Sequence, residues 1–176
     1  MDRKSCPQVV PHDADVTPID GTYRGPSAAV IAKAIRSGRC PSDRLFDRFL
    51  PNDLRLVSGE HWTPLVVALR VAEWIDLVGI RNVVDLGSGA GKFCVAAAIR
   101  SQCSFHGVEQ RPRFVEAARA LAHAFGVDDR VQFSPGALSR ETIPTADAYY
   151  LFNPFEENLF GADERLGEDV ELSPER

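Results

Sequence analysis

The chain has no surplus of basic charge. Lys and Arg total 20 against 25 Asp and Glu, a formal net charge of -5. Long-range attraction to nucleic acid or to an anionic membrane is therefore not expected. Cysteine is sparse: Cys6, Cys40, Cys94 and Cys103 form no C-x-x-C pair, and no His stands at zinc spacing from them. They read as reduced thiols, two of them in the core, and no metal is called for. No apolar run is long enough to span a bilayer, and the basic start Met1 to Pro7 has no apolar stretch behind it. Neither a signal peptide nor a spanning helix is expected, which leaves the cytoplasm as the default compartment. Internal repeats and low-complexity tracts are also missing. What is present is 44% hydrophobic and 26% charged over 176 residues, the balance of one globular domain able to bury a substantial core.

The most informative stretch is Asp85-Leu86-Gly87-Ser88-Gly89-Ala90-Gly91-Lys92. It follows the apolar pair Val83-Val84 and leads into Phe93-Cys94-Val95-Ala96-Ala97-Ala98-Ile99, which reads as strand, tight glycine turn and helix. Such a turn lets a ligand touch backbone that side chains would otherwise cover. A second apolar run, Phe105 to Val108, closes on Glu109. An acid at that place can hold the two hydroxyls of a ribose. A dinucleotide fingerprint, G-x-G-x-x-G, fails because Lys92 takes the place of its third glycine. A P-loop fails because Leu86 replaces its first glycine and Phe93 its Ser or Thr.

The rest of the chain supplies alternating elements. Residues to about Gly21 lack periodicity and read as an extended arm. Pro26 to Gly38 and Pro41 to Leu50 read as short helices, the first with Ser27, Val30, Ile31, Ala34 and Ile35 on its apolar side. Pro51-Asn52-Asp53 reads as a turn. Thr63-Pro64 offers an N-cap and first helical position for a helix running to about Gly79. Strands are expected at Asn82 to Leu86, Ser104 to Glu109, Arg130 to Phe133 and Ala146 to Phe152. Helices are expected at Gly91 to Arg100 and Pro112 to Phe125. This alternation implies an α/β fold, a doubly wound, mostly parallel sheet with an N-terminal helical extension. Ligands bind such sheets beyond the carboxyl ends of the strands, where Gly87, Glu109, Ser134 to Leu138 and Asn153 fall.

The G-x-G-x-G loop after Asp85, together with Glu109, resembles the class I S-adenosylmethionine-dependent methyltransferases. The set Ser58-x-x-His-Trp-Thr-Pro, Gly-Lys-Phe-Cys and Gly-Val-Glu-Gln-Arg is similar to a bacterial group of such domains. The resemblance covers Ser58 to about Phe160. It implies a Rossmann-like methyltransferase fold with strand order 3-2-1-4 and S-adenosyl-L-methionine as cofactor. It implies that Asp85 helps hold the cofactor's ammonium group and that Gly87, Ser88, Gly89 and Gly91 form the floor. Glu109 would then bind the ribose and Gln110 the adenine edge. Many members carry an acid near Ala137; alanine leaves only its backbone to read adenine. Asn153-Pro154-Phe155 partly matches the Asn-Pro-Pro-aromatic motif of amino-nitrogen methyltransferases, so Asn153 either aligns the acceptor or orders the loop and touches cofactor. His61 can act as a general base near neutrality or as a lid residue, and Trp62 reads as packing rather than as a substrate platform.

The expected organisation is residues 1–57 as N-terminal arm and helical cap, 58–160 as an incomplete methyltransferase domain, and 161–176 as an acidic tail. The family's sheet runs 3-2-1-4-5-7-6, and this chain supplies the 3-2-1-4 half. A truncated gene product is the favoured explanation; pairing with another chain and a degenerate remnant stay open. The apolar fourth strand would form an edge and invite self-association. The expected activity is methyl transfer to a small-molecule or protein acceptor. The alternatives are a non-catalytic module that binds cofactor or partner and an NAD-dependent oxidoreductase.

Overall fold

The computed structural model describes residues 25–139 and 142–152. Among the described residues four helices precede the first strand: α1 (Ala28–Arg36), α2 (Asp43–Asp47), α3 (Asn52–His61) and α4 (Leu65–Val78). Then β1 (Asn82–Leu86), α5 (Lys92–Arg100), β2 (Ser104–Glu109), α6 (Pro112–Phe125), β3 (Val131–Pro135) and β4 (Ala148–Tyr150) follow. The strands form one parallel sheet in the order β3-β2-β1-β4. Parallel neighbours need crossovers, and α5 and α6 provide them for β1 to β2 and β2 to β3. The 3-2-1-4 order expected from the resemblance is the observed one. Residues to Gly21, Cys6, Asn153 and the acidic tail lie outside the described residues.

Register decides which side chains meet the helices. Asp85 lies opposite Gly107 on β2 and Tyr150 on β4, so Val83, Asp85, Phe105, Phe133 and Tyr150 share a face. Phe93 of α5 stacks on Tyr150 at 3.6 Å between ring centroids and meets Phe105 edge-on at 5.9 Å. That places α5 on this face. Phe93 to Ile99 are all buried, which explains why the segment is apolar all round. The opposite face carries Val84, His106, Gln132 and Tyr149, with Gln132 and Tyr149 exposed.

The N-terminal helices cap the α5 and α6 layer. Phe46 of α2 is fully buried and stacks on Phe125 of α6 at 4.5 Å. Ser27 caps α1 by accepting from the Val30 amide rather than joining the apolar side, and Val30 is exposed; Ile31, Ala32 and Ile35 carry the packing.

Three local expectations need correction. The turn expected at Pro51-Asn52-Asp53 is the start of α3. That helix has only Leu54 and Ser58 buried, too few apolar positions to give a helical period. Pro64, not Thr63, is the N-cap of α4, and neither caps it by a side chain; Asp43 reaches across from α2 and accepts from the Leu65 amide at 2.8 Å. Finally, β4 pairs over three residues only. No described helix is long and apolar enough to cross a membrane.

Candidate functional site

Four chain segments converge where β1 and β2 end. The glycine turn leaves β1 and is pinned to β2: the amides of Gly87 and Ser88 both donate to Val108 O, at 2.9 and 3.1 Å. Gly91 closes the turn by donating to Ser88 O at 2.9 Å. Gly89 and Gly91 have φ of +53° and +77°, backbone that L side chains rarely adopt. Space imposes the same demand. A Cβ on Gly91 would meet Phe133 and Ala118 at under 3 Å. One on Gly89 would overlap the Trp62 indole, 2.8 Å from Cδ1. The alternating glycines are therefore fixed by conformation and close approach together.

Glu109 ends β2 and turns onto this loop. Its Oε2 accepts from the Gly89 amide at 3.0 Å, and its Oε1 from the Arg111 amide at 2.9 Å. Both donors are backbone, and the buried Arg111 guanidinium stands 4.0 Å from Oε1. The segment after β3 docks beside it, with Gly136 N–H donating to Glu109 O at 2.9 Å. The Ala137 carbonyl accepts from Thr142 Oγ1, and Ala137 and Gln110 are exposed beside this junction.

Asp85 lies beneath the loop, 4% exposed, and accepts from Cys94 Sγ at 3.3 Å. Burial pushes its carboxyl up to about 7; the Cys94 hydrogen bond opposes the rise and the charge of Glu109 adds to it. The Cys94 thiol is itself pushed well up by burial and by Asp85. Cys40, Cys94 and Cys103 are free and buried, and no metal-binding cluster is present among the described residues. Ser88 Oγ is buried with no hydrogen-bond partner among the described residues.

The structure therefore brings Asp85, Gly87, Ser88, Gly89, Gly91, Glu109, Gln110 and Ala137 to one end of the sheet. His61 is the last residue of α3, one position before Trp62. Asn153 lies outside the described residues.

A family model described as the O-methyltransferase domain matches residues 52–154. The chain belongs to this family. Among curated proteins, the ribosomal protein L11 methyltransferase of Methylococcus capsulatus is 33% identical over 88 residues, 48% of this chain and 30% of that protein. An O-methyltransferase from Bacillus cereus, solved in complex with S-adenosylhomocysteine, superposes with a TM-score of 0.54 at 15% identity, over 69% of this chain and 60% of that one. That likeness shows the fold. An RNA methyltransferase from Salinibacter ruber, also holding S-adenosylhomocysteine, is 33% identical, with a TM-score of 0.45 over 51% of this chain and 58% of that one. The chain thus spans about a third of its curated relative and about three fifths of these structures.

Two features of this methyltransferase domain escaped the sequence reading. Lys92, which spoils a dinucleotide fingerprint, is 1% exposed and pairs with Asp43 at 2.6 Å and Asp47 at 3.0 Å, while its Nζ donates to Ser58 at 3.0 Å. Ser58 Oγ donates in turn to Asp47 at 2.7 Å. The cap is thereby tied to the first residue after the glycine turn. Burial raises the Asp47 carboxyl, and Lys92 and Ser58 pull it back. The clue was available: a lysine inside an apolar segment needs acids, and Asp43 and Asp47 lie one turn apart. The second feature is where Trp62, read as packing, makes its contacts. It packs against Gly89 as well as Phe114, where its ring meets at 6.2 Å edge-on.

Proposed function

We propose that the chain binds S-adenosylmethionine beyond the ends of β1 and β2 and transfers its methyl group to a small-molecule or protein acceptor. The observation that carries this reading is the closure of Glu109 on the glycine turn through Gly89. It sets a carboxylate, able to accept from ribose hydroxyls, directly beside the glycine backbone, with the Trp62 indole packed against Gly89. The residues fit the cofactor in charge as well: Asp85 and Glu109 suit a ligand carrying an ammonium group and a diol.

Bound there, S-adenosylmethionine supplies a methyl group activated by sulfonium charge. The chain's own task is orientation and exclusion of water. Gly87, Ser88, Gly89 and Gly91 form the floor, and Asp85 supplies negative charge beneath it. Gln110 and the backbone of Ala137 flank the adenine edge. A hydroxyl acceptor, the kind implied by the family's description, must lose a proton as its oxygen attacks. His61 is the base assigned to that proton, and Asn153 orders the acceptor side. The net charge of -5 disfavours a polyanionic acceptor. Three free, buried thiols suit the reducing cytoplasm.

Incubation with methyl-labelled S-adenosylmethionine and panels of small hydroxylated molecules, proteins and RNA tests the reading. Label should appear in a small molecule or protein. Label in RNA alone would refute the acceptor class, and a folded chain that binds cofactor yet labels nothing would favour a non-catalytic binding module.

A further inference from the structure

Trp62 is held more tightly than a lid residue. On its N-terminal side, α3 is fastened through Ser58 to Asp47 and Lys92. On its C-terminal side, Thr63 Oγ1 lies 3.0 Å from Tyr150 Oη, in a hydrogen bond between buried Thr63 and β4. The indole between these anchors is 8% exposed, and its pyrrole edge faces Gly89, with Nε1 the atom nearest to where a Cβ would stand. An indole N–H only donates, and a buried one ordinarily finds an acceptor. Among the described residues none accepts from Trp62 Nε1, and this atom is not one of the fully buried unpartnered ones, so its N–H is accessible beside Gly89.

The surroundings specify the missing acceptor. The turn's own amides at Gly87, Ser88, Gly89 and Gly91 are already donated to Val108 O, Glu109 and Ser88 O. Lys92 is committed to Asp43 and Asp47. The two acids at the site, Asp85 and Glu109, suit an ammonium group and hydroxyls and would repel a carboxylate. On the turn itself only the Ser88 hydroxyl, buried and unpartnered, is identified as a remaining side-chain donor, and an amino-acid end with two anionic oxygens has use for a second one beside it. We infer that Trp62 Nε1–H donates to the carboxylate of the cofactor's methionine portion, opposite the charge of Asp85. This rests on the cofactor reading above and names a contact that the glycine motif does not contain.

Decarboxylated S-adenosylmethionine keeps the ammonium, ribose and adenine and lacks only the carboxylate. Calorimetry on Trp62→Phe should show about a tenfold or greater loss for S-adenosylmethionine, with affinity for the decarboxylated compound unchanged within about twofold. Equal losses for both ligands, or no loss for either, would overturn the inference. The wild-type chain provides a test that does not depend on the variant folding. It has two tryptophans, and Trp74 is 59% exposed. One of the two indole N–H resonances should move downfield with S-adenosylmethionine and stay in place with the decarboxylated compound. A shift common to both ligands would assign the contact to the nucleoside end and refute it. Failure of the wild type to bind either ligand would reject the cofactor reading itself, and the inference with it.

Discussion

Replacing Asp85 with asparagine is expected to stabilise the ligand-free protein above neutral pH. Asp85 is 4% exposed, and burial lifts its carboxyl from 3.8 to about 7, with Glu109 adding to the rise and Cys94 opposing it. Well below the unfolded value of 3.8 the carboxyl is protonated in folded and unfolded chains alike, and its titration contributes no difference. Between pH 4 and 7 the unfolded chain releases this proton while the folded chain keeps it. The folded state then binds more protons, so stability falls as pH rises. Above pH 7 the folded carboxylate is ionised against its surroundings, at a cost that levels off near 4 kcal/mol. Asparagine keeps an oxygen for the Cys94 thiol and has no charge to bury. Urea unfolding of both proteins from pH 4.5 to 8.5 isolates the effect, because the other titrating groups largely cancel in the difference. The variant should gain on the wild type progressively and reach a plateau above pH 7. A pH-independent difference, or a variant less stable at pH 8, would refute the reasoning. A cationic ligand should reverse the ranking, since an ammonium group beside Asp85 rewards the ionised form.

Lys92→Met leaves Asp47 buried beside Ser58 with no cation and should cost about 3–5 kcal/mol. Adding Asp47→Asn should recover part of that loss in a double-mutant unfolding cycle, and strict additivity would contradict the network. Glu109→Gln should weaken S-adenosylhomocysteine binding about tenfold while leaving a folded chain, as judged by calorimetry and circular dichroism; wild-type affinity would remove Glu109 from the site. Tyr149 and Leu151, 47% and 50% exposed along the β4 edge, should drive self-association. Lysine at both positions should lower the sedimentation coefficient at high concentration, and a wild-type chain already monomeric there would dispose of the idea.

The parts of this molecule legible in its sequence are those whose physics is local. The turn from Gly87 to Gly91 demands backbone freedom within five residues, and no other residue type meets it. The bounds of β1, β2 and α6 follow from unbroken apolar patterns and from Pro112 at the helix start. By contrast, α3 is mostly polar on its surface and has no apolar stripe to reveal it. The Lys92 network joins residues 34 to 49 positions apart in the chain, so only packing of the cap onto α5 brings them together. Thr63 has the composition of an N-cap, yet its hydroxyl goes to Tyr150 and Asp43 takes over the capping of α4. Trp62 reads as core from its chemistry, and its burial bears that out; only the position of Nε1 over Gly89 shows that its polar edge faces the site.

Calorimetric titration with S-adenosylhomocysteine, with NAD as control, tests the central claim most directly. Saturable binding of S-adenosylhomocysteine alone is the expected result. Binding of NAD, or no binding of S-adenosylhomocysteine by a folded chain, would contradict the reading of the turn and of Glu109.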